Sequence, residues 1–336
     1  MRTRKKLLPI FASLTVILFI LFVLSLSVGY ANASLTDLVD ILTGSANQSS
    51  ILIITKIRLP RILACMIGGA SLSLAGLLLQ TLTRNPLADS GILGINTGAG
   101  FVVALMVGLS QSLSPWLLSL MPLFAMIGGT VTILIVYVMA RTKYHGLQPT
   151  RLIVTGVGVS SMLSGIMISI ISKLDDFKME YIVQWLSGKI NGGHWDTLLV
   201  YTPLLMLVWG LAYSRSRSLN IMNLNDQTAM ALGLQLQRER LTTLMLATAL
   251  GALSVVLVGN ITFVGLIAGH ISRKWVGNDH RLSIPVTMFI GAIILLIADT
   301  IGRVLLVGTG IPTGIIVSII GAPYFLYLMF TTQKTS

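Results

Sequence analysis

The chain has 336 residues, 54% of them hydrophobic and only 10% charged, and a net charge of +12. A soluble globular domain carries about 25% charged residues, so the composition excludes one and points to a polytopic helical membrane protein. The short alternating segments of a membrane barrel are missing, and the basic excess falls between apolar runs, where it marks topology rather than a nucleic-acid partner.

In chain order, MRTRKK precedes a 22-residue apolar run, Leu7 to Val28. The pattern resembles a signal peptide, with Ala31-Asn32-Ala33 as a cleavage site. A signal h-region has only about 7–15 residues, so an uncleaved first span is expected. Nine more spans follow, giving 7–29, 59–82, 92–112, 116–140, 150–172, 196–213, 241–258, 261–274, 283–305 and 313–331 in one domain, 1–336. The eighth is short and interrupted by Gly265 and Gly269, as in helices shielded by protein or lining a cavity. Loop 30–57 is expected to hold a short amphipathic helix capped by Ser34 or Thr36, with Leu35, Leu38, Val39, Ile41 and Leu42 on its apolar face. In loop 173–195, Gln184 to Gly188 reads as a surface helix ending at glycine.

With the N-terminus inside, 16 of the 23 Lys and Arg residues fall on the inner side, giving an inner balance of +12 and an outer one of +1. This asymmetry supports an even number of spans and two cytoplasmic termini. Asp89 falls in the inner loop after Gln80 and Arg84. The inner loop 214–240 carries Asn225 as a helix cap and Asp226 in the first turn. Met230, Leu232, Leu234 and Leu236 are its apolar positions, and Gly233 breaks the helix. Such a segment lies on the lipid surface or fits a partner's groove.

Few ionisable groups lie within spans. Asp299 has Arg303 one turn on, a pairing that neutralises both. The scarcity of other intramembrane charges disfavours an ion-coupled secondary carrier. There is no phosphate-binding G-x-x-x-x-G-K-[ST], no H-E-x-x-H and no nucleophile triad, so no catalytic, cofactor-binding or metal residue is nominated. His145, His194, His270 and His280 read as structural or solvated. Cys65, the sole cysteine, reads as a packing residue. An assembly protein is disfavoured by charged docking surfaces on both faces.

Several motifs carry a resemblance. They are Arg58-Leu59-Pro60-Arg61, Arg84-Asn85-Pro86-Leu87-Ala88-Asp89, Gly91-Ile92-Leu93-Gly94, Trp185-Leu186-Ser187-Gly188, Ala231-Leu232-Gly233, Phe263 to Ala268, Asp279-His280-Arg281, Ala298-Asp299-Thr300 and Gly321 to Phe325. In this order they resemble the permeases of ABC importers for iron–siderophores, haem and cobalamin. The resemblance implies a type II importer permease of the bacterial cytoplasmic membrane. It implies a second permease chain, homo- or heterodimeric, two cytoplasmic ATPase subunits that hold ATP and Mg, and an external substrate-binding protein. This chain would have no cofactor of its own and would not be the ATPase. The implied cargo is a ferric siderophore, with haem or cobalamin as alternatives. By resemblance, Arg58, Arg61 and Arg303 dock the binding protein. Asp226, Thr228, Ala229, Leu232, Gly233 and Leu234 belong to a coupling segment, 225–236, in the ATPase groove. Gln148, Pro149 and Thr150 form the inner gate. Two departures are Ala268-Gly269-His270, where the family often has Ala-Pro-His, and Gly310, where it often has a glutamate. The two departures together suggest one half of a heterodimer whose partner keeps the missing groups.

Overall fold

The structure, a computed structural model, describes residues 2–29, 35–110, 112–142, 146–190, 193–305 and 311–332. Ala31–Ala33, Ser34, Lys143, His145, Gly310 and Lys334 lie outside the described residues, as does the side chain of Leu42. The described residues form α1 Arg2–Ser27, α2 Leu35–Thr43, α3 Gln48–Leu52, a π-helical stretch Ile53–Arg58, α4 Leu59–Thr83, α5 Ile95–Leu109 and α6 Pro115–Ala140. A two-residue antiparallel ladder, β1 Arg141–Thr142 with β2 Gly146–Leu147, leads into α7 Pro149–Ile171. Then come α8 Asp176–Leu186, α9 Trp195–Ser214, α10 Ser216–Met222, α11 Asp226–Ala231, α12 Leu236–Val258, α13 Val264–Val276, α14 His280–Leu305 and α15 Thr313–Thr332.

Among the described residues, eight helical segments are long and apolar enough to cross a membrane, and α5 and α13 are shorter. Prolines in the first turns of α4, α6 and α7 fit helix starts, because the missing N–H has no helical partner there. The Ser114 side chain also accepts from Leu117 N at the head of α6.

Helix α4 is the axis. It is buried over most of its length and packs against α12, α13 and α14. Two of these crossings close to backbone contact. A Cβ at Gly69 would stand 2.5 Å from the Gly291 carbonyl oxygen, and one at Gly76 would stand 2.5 Å from the Gly265 Cα. Lipid gives no hydrophobic drive between helices, so close small-residue packing holds the core instead.

Several expectations are corrected. Thr36 does not cap α2, since the helix already includes Leu35. Loop 30–57 holds two helices and a π-helical stretch running unbroken into α4. The outer helix α8 starts eight residues before Gln184. Asp175 caps it by accepting from Lys178 N, and the helix turns off at Gly188, φ +80°. Its Ile182 and Trp185 are buried beside α5 while Phe177, Met179, Glu180 and Val183 are exposed, so it is a surface helix packed on one face. Asp89 is not in a solvated inner loop. It is buried, and its Oδ2 accepts from Phe263 N at 3.1 Å, just where α13 begins. Residues 84–94 thus fold back into the bundle, which explains why α5 has only 15 residues.

Candidate functional site

On the inner side, α11 forms as its local sequence dictates. Asn225 Oδ1 accepts from Thr228 N at 2.7 Å, and Gly233, at φ +82°, ends the turn. The helix is shorter than the expected 225–236 segment, because Leu236 already belongs to α12. Thr228, Met230, Leu232 and Gly233 are exposed. Ala229 is fully buried and Leu234 packs against the core, so these two anchor the segment and do not face a partner.

Asp226 holds this segment to the bundle. Its carboxylate takes Arg84 Nη2 at 2.7 Å and Arg240 Nη2 at 2.8 and 2.9 Å. Burial raises its pKa, but the two guanidiniums outweigh that and hold it below the ordinary carboxylate range. Arg84 caps α4 in the left-handed region, φ 49°, and also donates to the Met222 carbonyl at 2.9 and 3.1 Å. Nearby, Asn220 donates to Asp279 at 2.7 Å and accepts from His280 N at 2.8 Å, tying α10 to the head of α14. The hydrogen bond from Asn220 depresses the Asp279 pKa.

The gate candidates sit at the root of α7. Gln148 is the N-cap residue, Pro149 opens the helix, and Thr150 is exposed. Thr150 starts a stripe continued at helical spacing by Val154, Val157, Ser161, Ser164 and Ile168. A cavity of about 560 Å³ lies along it, lined also by Gly91, Ile92 and Ser160. Nothing lies within 4 Å of where a Cβ would stand at Gly158 or Gly165. A second crevice of about 350 Å³, between Ser187, Asn260 and Ser318, lies toward α15. By contrast, an apolar groove of about 440 Å³ between α6 and α12 offers a polar cargo no hold, since Thr130 and Thr248 each bond a carbonyl of their own helix.

On the outer side the three arginines part company. Arg58 is buried, 4% exposed, and donates to the Leu26 carbonyl at 2.6 Å, so it staples α1 to α4 and does not stand on an open rim. Arg61 Nε and Nη2 bond Asp299 Oδ1 at 2.9 and 2.8 Å. Arg303 Nε bonds Asp299 Oδ2 at 2.8 Å, and Thr313 adds a third donor at 3.2 Å. The i,i+4 pair is present, but the carboxylate is shared. Arg61 is 238 residues away in sequence, so spacing alone gave no sign of it.

Three comparisons bear on this arrangement. The model of the FecCD transport family matches residues 17–331. The iron(3+)-hydroxamate import system permease FhuG of Bacillus subtilis is 34% identical, covering 98% of both chains. The Fe(3+)-citrate import system permease YfmE of the same organism is 36% identical over 99% of this chain and 98% of its own. The hemin transport system permease HmuU of Yersinia pestis is 33% identical over 86% of each. A solved structure described as an inward-facing metal-chelate type ABC transporter superposes with a TM-score of 0.82 at 31% identity, covering 96% of this chain and 98% of that one.

Proposed function

The chain belongs to the FecCD transport family, as a multi-pass permease of a bacterial ABC importer for an iron chelate and not its ATPase, and on that premise we propose that it passes a ferric siderophore along α7. The hydroxyl stripe of α7 carries this reading. A helix facing only lipid has no use for an exposed Ser161 and a half-buried Ser164 beside open glycines. A wall of hydroxyls and small side chains with no fixed charge suits a bulky chelate that brings its own polar groups. Relatives of near-equal identity are named for hydroxamate, citrate and hemin, so cargo choice belongs chiefly to the binding protein.

In this reading the exposed part of α11 meets the ATPase, and ATP closure is passed to the root of α7 at Gln148, Pro149 and Thr150. Docking of the binding protein falls to Arg61, which keeps 35% of its side chain exposed, and to the rim around it. Arg303 is 14% exposed and serves mainly to hold Asp299. ATP and Mg stay on the partner ATPase. The buried Asp299 is satisfied by two arginines and a hydroxyl.

The test is uptake of labelled ferric siderophore into proteoliposomes carrying the whole importer. Ser161→Leu with Ser164→Leu is expected to lower uptake at least about tenfold by filling the path with apolar bulk, while the complex still assembles. Unchanged uptake would remove α7 as the wall. Uptake driven by an ion gradient without ATP would remove the importer reading altogether.

A further inference from the structure

Two backbone groups just before the gate helix are held by one turn of α12. The Leu147 N–H donates to Gln237 Oε1 at 2.8 Å, and the Leu147 carbonyl accepts from Arg240 Nη1 at 3.1 Å. Gly146, at φ +63°, brings the chain so close that a Cβ there would overlap the Gln237 side chain. Leu147 itself is buried and lies two residues before Pro149, the first residue of α7. The other arm of the Arg240 guanidinium, Nη2, grips Asp226 at the start of α11. One buried side chain, 3% exposed, therefore touches the ATPase-facing segment with one nitrogen and the root of the gate helix with another.

We infer that Arg240 is the positioning residue that carries motion of α11 to α7. The inference rests on α11 being the ATPase-facing element. The chemistry fits the task. A guanidinium is a flat, rigid fork, so two acceptors bound to its two ends keep a fixed separation. A displacement of Asp226 must then move the Leu147 carbonyl or break a charge-assisted hydrogen bond. Arg84 holds the same carboxylate but leads back into the α4 axis, so it anchors and does not transmit. Arg240 Nε is buried without an acceptor among the described residues, so the fork is held by its two end contacts. Gln237 fixes the remaining polar group of Leu147, so the root follows α12 and Arg240 as one piece.

Lysine is the discriminating substitution. Arg240→Lys keeps the charge and can reach Asp226, but a single ammonium cannot also hold the Leu147 carbonyl in the same geometry. In the reconstituted importer, siderophore imported per ATP hydrolysed is expected to fall about tenfold, as for loss of one charge-assisted hydrogen bond. A cysteine at the gate, Thr150→Cys, is expected to change its labelling rate on ATP addition in the parent and not in Arg240→Lys. A purely structural role for Arg240 would leave both readouts intact once the complex is assembled. A cross-link from Thr228→Cys to the ATPase reports separately on the underlying reading. If that cross-link forms and Arg240→Lys transports at the parental ratio, the inference fails alone. If it does not form in the parent, the placement of α11 fails and the inference with it.

Discussion

Gly69→Ala tests whether the core depends on backbone contact. A Cβ there would stand 2.5 Å from the Gly291 carbonyl oxygen and 3.0 Å from the Leu295 Cβ. Carbon contacts settle at about 3.5–4.0 Å, so α4 and α14 must part by about 1 Å along this crossing. Neither the carbonyl nor the helix that carries it can rotate away. Overpacking of this kind costs roughly 1–3 kcal/mol. At about 2–4 °C per kcal/mol, the melting midpoint should fall by roughly 2–12 °C. The molecule supplies its own probe. Cys65 is the only cysteine and is fully buried on the same helix, so a thiol-reactive dye reports on opening of the α4 core. Gly291→Ala should act alike, since a Cβ there meets the Gly69 carbonyl and the Ser73 side chain. The double variant should cost less than the sum, because one parting of the helices accommodates both methyl groups. An unmoved midpoint in both single variants, or strict additivity in the double, would refute the reasoning.

Three further predictions concern the charged clusters. Asp299→Ala removes the shared carboxylate, but Arg303 keeps its bonds to the Ser25 carbonyl and hydroxyl and Arg61 can swing toward water, so the cost is near the low end of the range for a broken buried pair, about 3 kcal/mol, read by the same thiol assay. Arg61→Gln should cost less, because Arg303 and Thr313 still hold Asp299, and its effect on binding-protein affinity should exceed its effect on melting; equal loss of both would make Arg61 structural only. For Asp226, the folded pKa lies below the ordinary value of about 3.9, so its contribution is complete above that pH and is lost as pH falls through the folded value. The parent should therefore lose stability between neutral and strongly acidic pH by more than Asp226→Asn does, and identical pH profiles would contradict the clamp.

Much of the architecture was legible because each apolar run is long and its ends are marked by Pro60, Pro115 and Pro149 or by charge. Helix α11 was legible for a local reason, a side-chain cap at Asn225 and a left-handed glycine at 233. What escaped was set by contacts distant in sequence. Ile92 and Leu93 look like the start of a span, yet they lie in a turn that Asp89 draws inward toward Phe263. Arg58 and Arg61 are three residues apart, share a helical face and read as a pair, but their long side chains end on different partners, one on the Leu26 carbonyl and the other on Asp299. Ala229 reads as part of a partner-facing helix, and only the fold shows that its methyl turns inward. Local chemistry specified the elements. The facing of single residues within them depended on neighbours that no short window of sequence contains.

The packing also explains why the path should lie on the outside of the subunit. Around α4 the helices meet at backbone distance, Gly69 on Gly291 and Gly76 on Gly265, which leaves no room for a chelate between them. Helix α7, in contrast, is buried over little of its length, and its Ser160, Ser161, Ser164 and Gly165 face a cavity. A wall of that kind encloses nothing by itself. It becomes one side of a conduit only when another surface stands opposite, and that requirement is the physical reason to expect a second permease chain. The division of labour follows from the same contrast. A close-packed axis moves as a block, while a helix buried over little of its length has fewer side chains to displace when it tilts. A pull delivered at Leu147 acts on a helix of the second kind.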